Sequence, residues 1–257
     1  HAAECSGWMT GGEIMAQIKL ITEHDKKSPV SEAYRTIRTN LRFAGADKPL
    51  KFIGVTSSIP SEGKSTTISN LAVVMAMDGK KVLLIDCDMR KPMIHRIFEL
   101  PNRGVTNCIA TGVSVESVIR KEVSPNLDIL TSGPVPPNPS EMIGSEKMTS
   151  LLKQAGESYD YVLIDLPPVL PVTDAAVMSA KIDGMILVIG SGDVTPEEGK
   201  RTKEQLEQAG AHMIGVILNK VPVQHNRGYN YYYYHYGVDD GEEHEHYGRH
   251  KNEGNGK

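Results

Sequence analysis

Residues 55–67, VTSSIPSEGKSTT, bring Gly63, Lys64 and Ser65 together behind a short polar turn. An apolar run precedes them and a helix-forming run follows. That strand–loop–helix setting is what a phosphate-binding loop requires. The backbone from Ile59 through Pro60, Ser61, Glu62, Gly63, Lys64 and Ser65 to Thr66 is expected to wrap a β-phosphate with its N–H groups. The N-terminus of the following helix adds partial positive charge there. Lys64 has the reach for β- and γ-oxygens, and the Ser65 hydroxyl suits Mg²⁺. The usual pattern has glycine six residues before the lysine, where this chain carries Ser58.

Two further segments place carboxylates at the ends of apolar runs. LLIDCDMRKP (83–92) offers Asp86 and Asp88, followed by Arg90 and Lys91, and VLIDLPP (162–168) offers Asp165. Ligands of open α/β sheets bind beyond the carboxyl ends of the strands. Carboxylates there suit a hydrated Mg²⁺, which needs few protein oxygens. Asp165 fits the Walker B role. Two adjacent acids exceed what a metal needs, so Asp86 or Asp88 is free to accept a proton from an attacking hydroxyl. Capping of the next segment is the bland alternative for the pair. Arg90 and Lys91 either bind phosphate or an acidic segment, or cap the aspartates. Asn219 ends a run on the same side, either reading adenine with its amide or serving a strand-end turn.

These residues need a scaffold, and the chain alternates accordingly. Apolar runs at 51–58, 81–86, 127–133, 161–168, 184–192 and 213–221 read as strands buried on both faces, which belong to parallel sheets. Helical spacing lies between them. Ile68, Leu71, Ala72, Met75 and Ala76 share one face, closed by Gly79. Another helix runs from Thr195 as N-cap and Pro196 to Gly210. The spacing predicts an α/β fold with a doubly wound, mostly parallel sheet. An outlying helix over 28–45 precedes it, and 222–257 form a Gly- and charge-rich tail without periodicity. Three regions follow: an extension at 1–27, the main domain at 28–221 and the tail at 222–257.

Composition narrows the classes. Apolar content of 39% and charged content of 23% suit a globular chain. A net charge of −4 gives no reason to expect nucleic acid. Cys5, Cys87 and Cys108 are an odd set without close spacing, so neither a disulfide framework nor a metal site is expected. No run spans a bilayer; the longest, 185–189, is far too short. Residues 1–15 read as an added remnant or a fused partner fragment.

The ordered set PSEGKST, LLIDCDMRKP and VLIDLPP resembles the Walker A, Walker A′ and Walker B motifs of bacterial tyrosine kinases. LTSGPVPPNPSEMI (130–143), SEAYRTIRTNLRF (31–43) and the tyrosine-rich end match that family as well. Leu166 departs from it, standing where these kinases often have threonine. The resemblance implies a P-loop ATPase fold of the ParA/MinD-like type. It implies ATP and Mg²⁺ as cofactors, and phosphorylation of the enzyme's own tail between subunits. It also implies a ring-shaped homo-oligomer closed through Glu32, Arg35 and Arg38, which on spacing alone form a solvated face with a local ion pair. Further partners implied are a separately encoded membrane-spanning activator and a cognate phosphotyrosine phosphatase. The setting implied is capsule or exopolysaccharide synthesis and export, with the chain cytoplasmic, at the inner face of the plasma membrane.

The tail then has a use. Seven of the ten tyrosines lie in it, and Tyr229, Tyr231, Tyr232, Tyr233, Tyr234, Tyr236 and Tyr247 are the expected phosphoacceptors. Gly228, Gly237, Gly241 and Gly248 supply slack. A phenol needs a base at neutral pH. Asp86 is the first choice, which leaves Asp88 and Asp165 with Ser65 for Mg²⁺. One alternative class is a ParA/MinD-type ATPase switch that transfers nothing to protein. Its loop usually carries an early lysine, absent from IPSEGK, and an acidic tail cannot form a basic membrane helix.

Overall fold

The computed structural model describes residues 19–46 and 48–222. The chain divides at Pro222, and every described residue lies in the first of two units. Its elements are α1 (Ile21–His24), α2 (Pro29–Ala44), β1 (Phe52–Ser57), α3 (Lys64–Met77), β2 (Val82–Asp86) and α4 (Ile94–Ile97). Next come α5 (Val105–Thr111), α6 (Val115–Val118), β3 (Arg120–Ser124), β4 (Leu127–Leu130), α7 (Pro139–Gly144) and α8 (Glu146–Gly156). The order closes with β5 (Tyr161–Asp165), α9 (Asp174–Ser179), β6 (Gly184–Gly190), α10 (Pro196–Gln208) and β7 (Met213–Asn219).

One seven-stranded sheet has the order β3-β4-β2-β5-β1-β6-β7. All neighbours are parallel except β3 and β4. All six expected strands are present. The short edge strand β3 was not foreseen, because RKEVS is half polar and largely outside the core. Side chains alternate across a strand, and that alternation divides the core. Ile53, Val55, Leu84 and Leu163 pack toward α2 and α3. Leu83, Ile85, Val162 and Ile164 pack toward α5, α8 and α9. Both faces are covered, which is why the runs are apolar throughout.

α3 departs from the expected one-sided pattern. From Ile68 to Ala76 every residue is buried. The sheet lies on one side, while Tyr34 and Leu41 of α2 join the same apolar cluster. Gly79, just past its end, takes φ +78°, the left-handed conformation that ends helices cheaply. α10 matches its sequence signals: Thr195 and Glu198 form a reciprocal capping box, and Gly210 has φ +86°.

The boundary expected at residue 28 moves toward the N-terminus. Leu20 is buried, and Thr22 donates from both its N–H and its hydroxyl to Asn70 Oδ1 on α3. A buried threonine needs such a partner, and Asn70 fixes α1 to the domain.

Candidate active site

The phosphate loop leaves β1 at Ser57 and enters α3 at Lys64. Gly63 is the N-cap with φ +92°, and a Cβ there would meet Asn219 Nδ2 at 2.2 Å. Only glycine satisfies both conditions. Among the described residues, the helix-opening N–H groups of Lys64, Ser65 and Thr66 find no backbone acceptor. A helix start leaves these donors for a ligand or water. Ile59 behaves otherwise. Its N–H donates to Glu62 Oε2 at 2.8 Å, so the expected phosphate cradle begins later than Ile59.

Parallel pairing brings the acids together. Asp86 and Asp165 are register partners at the ends of β2 and β5, and Val55 of β1 pairs with Asp165. Lys64 reaches across from α3, with Nζ 2.7 Å from Asp88 Oδ2 and 3.3 Å from Asp165 Oδ1. The Ser65 hydroxyl donates to Asp165 Oδ2 at 2.6 Å. Lys64, Ser65, Asp86, Asp88 and Asp165 are all buried. Five residues from three separate segments of the chain thus form one cluster.

The charges within it do not balance locally, since three carboxylates share one ammonium. Burial pulls the Lys64 pKa down, but attraction by Asp165 and Asp88 outweighs this and leaves it above its usual value. Burial pushes the Asp165 carboxyl upward, against the pull of Lys64 and the Ser65 hydrogen bond. Burial, with Asp165 alongside, pushes Asp86 well above the ordinary carboxylate range. Such a site favours an added cation. Ser65 Oγ and Asp165 Oδ2, all-oxygen donors already paired, fit Mg²⁺, which takes few protein ligands and otherwise keeps waters and phosphate oxygens. Among the described residues no group of three or more His, Cys, Asp or Glu side chains is arranged to hold a metal ion.

Asp86 and Asp88 differ in their surroundings. Asp86 Oδ1 accepts the N–H of Asp88 at 3.1 Å, and Oδ2 accepts those of Met93 and Ile94, each at 3.1 Å. It therefore anchors the loop after β2. Asp88 Oδ1 accepts the Lys91 N–H at 2.9 Å, leaving Oδ2 to Lys64. Capping of the acids thus comes from loop backbone and not from the Arg90 and Lys91 side chains. Arg90 turns to a residue that sequence reasoning did not single out. Its Nε and Nη2 hold both oxygens of the buried Asp174 at 2.9 and 3.0 Å, and Ser140 also donates to that carboxylate. The only sequence signal for Asp174 was an acid opening a helix.

Asn219 Nδ2 donates to the Glu62 carbonyl at 2.9 Å, so one donor of the amide expected at adenine is held by the loop itself. Cys87 and Cys108 are free and buried. On α2, Glu32 and Arg35 form an exposed ion pair. Arg38 does not join them in solvent. Its Nη1 donates to the Val74 carbonyl at 3.0 Å and lies 3.5 Å from Asp78, so it clamps α2 to α3. The expected phosphoacceptors, from Tyr229 to Tyr247, and residues 1–15 lie outside the described residues. No helix among the described residues is long and apolar enough to cross a membrane.

The parallel sheet, the glycine–lysine–serine loop opening α3 and the acids at neighbouring strand ends define a P-loop ATPase fold of the ParA/MinD-like type. An AAA-domain family model matches residues 51–194. The septum site-determining protein MinD of Pyrococcus horikoshii, solved with Mg-ADP, shares the fold with a TM-score of 0.59 at 24% identity, over 68% of this chain and 72% of that one. Within that class the sequence is nearer to kinases. The tyrosine-protein kinase YwqD of Bacillus subtilis is 44% identical over 84% of this chain and 92% of its own length. The chimerical protein CapA2B2 is 42% identical with a TM-score of 0.76, over 79% of this chain and 90% of that one. The chain belongs to the bacterial tyrosine-protein kinase family and is a tyrosine kinase.

Proposed function

We propose that this kinase transfers the γ-phosphoryl group of ATP to tyrosines of its own C-terminal tail, the acceptor tail coming from a neighbouring subunit. The observation that carries the reading is the convergence of Lys64, Ser65, Asp88 and Asp165 beside unpaired helix-opening N–H groups. The loop N–H groups and Lys64 bind and orient the phosphates. Ser65, Asp88 and Asp165 would hold Mg²⁺, which when bound offsets charge on the β- and γ-oxygens. A tail phenol forms a new O–P bond at the γ-phosphorus while the bond to the β–γ bridging oxygen breaks, and ADP leaves. The phenol's proton passes to a carboxylate.

Our reading puts that proton on Asp86. Oδ1 has one backbone donor and keeps a lone pair. Burial raises its basicity. Asp88 is the second reading, because its Oδ2 faces Lys64 at the mouth of the loop rather than backbone. The adenine reading for Asn219 rests on its place at the end of β7 beside Gly63.

Ring assembly is proposed through the exposed Glu32 and Arg35, with Arg38 holding their helix in place. The wider proposal includes a membrane-spanning activator, a phosphotyrosine phosphatase that reverses the modification, a location at the inner face of the plasma membrane, and control of capsule or exopolysaccharide synthesis and export. Family membership supports these points.

Incubation with Mg-ATP, followed by intact mass and peptide mapping, tests the core of the proposal. Phosphate is expected on several of Tyr229, Tyr231, Tyr232, Tyr233, Tyr234 and Tyr236, with Tyr247 a further acceptor. Tyr34 and Tyr159 are buried and remain unmodified. A chain cut before Tyr229 still binds ATP but takes up no phosphate. Equal incorporation by the cut chain would show that the acceptor lies elsewhere.

A further inference from the structure

We propose that Glu62 is a positioning residue whose carboxylate ties the phosphate loop to the end of β6 and whose carbonyl ties it to the end of β7, and that these ties set phosphate affinity. The inference rests on the phosphate-loop reading but not on the identity of the acceptor. Glu62 is fully buried although it stands in a polar loop. A buried carboxylate is costly unless hydrogen-bonded. Here each oxygen has its own backbone donor: Ile59 N–H gives to Oε2 at 2.8 Å, and Gly190 N–H at the end of β6 gives to Oε1 at 2.9 Å. The main chain of the same residue forms a third tie, its carbonyl accepting from Asn219 Nδ2 at 2.9 Å. One residue therefore joins the first turn of the loop to two strand ends. Both strands sit on the side of β1 away from the acids, in the order β1-β6-β7.

The geometry separates two possible roles. A carboxylate occupying the phosphate's place would be reachable from the loop mouth and would compete with the ligand. Glu62 is sealed beneath the loop and bonded to strand backbone, so it holds the loop in shape and does not compete. A preshaped loop binds phosphate without paying to order itself. Two N–H donors on two different oxygens also set a chemical requirement. A carboxylate accepts at both ends, whereas an amide presents an NH₂ group at one end, against a donor. Glu62→Gln should therefore fail like Glu62→Ala, although it is nearly isosteric.

The test is titration of inorganic tripolyphosphate and of ADP, both with Mg²⁺, into the full chain and its variants, with melting measured without ligand and kcat and KM for ATP measured alongside. Both variants are expected to weaken tripolyphosphate and ADP about tenfold and to raise KM for ATP similarly, with kcat changed less than about threefold. A Glu62→Gln variant with native affinity would overturn the proposal, as would tighter binding in either variant or a fall in kcat at unchanged affinity. Should the Glu62 variants not fold, Asn219→Ala decides, because it removes only the third tie. Weaker tripolyphosphate binding supports the tie. Loss confined to ADP assigns Asn219 to the base and overturns this role. If tail transfer fails in the native chain while these affinities change as expected, the kinase reading is at fault and the positioning role stands.

Discussion

The ammonium of Lys64 lies 2.7 Å from Oδ2 of Asp88, although one opens α3 and the other follows β2. Among the described residues Lys64 is the cation that ion-pairs with the buried Asp88 and Asp165. Lys64→Met removes it and leaves those carboxylates uncompensated. The ligand-free variant is expected to lose about 3 kcal/mol, as when one partner of a buried pair is deleted. Urea unfolding measures this loss. Tail phosphorylation should vanish and ADP affinity should fall about tenfold or more by calorimetry. An unchanged phosphorylation rate removes Lys64 from the mechanism.

Asp86→Asn separates anchoring from proton transfer. The asparagine keeps one acceptor, but its NH₂ group must oppose backbone donors now served by a carboxylate. Stability should drop by about 1–3 kcal/mol. Transfer to the tail should be lost while ADP still binds. Asp88→Asn should cost a similar amount, since its NH₂ group must oppose either the Lys91 N–H or the Lys64 ammonium. If Asp86→Asn transfers normally and Asp88→Asn does not, the base is Asp88.

α2 divides its charges between two tasks. Arg38→Ala should lower stability by about 1 kcal/mol through loss of the bond to the Val74 carbonyl. Replacing Glu32 and Arg35 by alanine should lower the melting temperature only slightly, through loss of the Arg35 bond to the Lys26 carbonyl, but reduce the mass seen in light scattering. Unchanged mass in that double variant would mean that the pair is only a solvated contact.

Asp128 supplies a pH signature away from the active site. Its Oδ2 accepts from Tyr159 at 2.6 Å and lies 2.9 Å from Lys121. Burial pushes its pKa up, but the hydrogen bonds from Tyr159, Glu122 and Lys121 prevail and hold it below 3.8. A carboxyl depressed on folding stabilises the protein above its unfolded pKa, and that contribution is lost as pH falls through the folded value. Tyr159→Phe should cost about 1 kcal/mol at pH 7. The gap to the native protein should narrow below 3.8, as Asp128 takes up its proton. A gap of constant size from neutral pH to that range would mean that the phenol acts by packing alone.

Much of this protein was readable one residue after another. An apolar run bounded by polar turns reports a two-face-buried strand wherever it lies, so six of the strands were legible. Lys64, Ser65 and Asp165 could be singled out because phosphate chemistry asks for those types beside a strand end, and the fold brings the three together. β3 did not, since its partner rather than its composition makes it a strand. The separate roles of Asp86 and Asp88 were hidden for a similar reason. The two residues look alike in DCD, and only the return of the chain at Met93 and Ile94 fills one carboxylate and spares the other. Arg38 and Glu62 carry the same lesson. Helical spacing put Arg38 on a face with Glu32, but the proximity of α3 turned it inward. Loop position made Glu62 a backbone donor in expectation, whereas Gly190, far along the chain, made its carboxylate a tie. Spacing in sequence determines which side chains an element offers; which partner each one meets depends on contacts between distant segments, and those exist only once the sheet has closed.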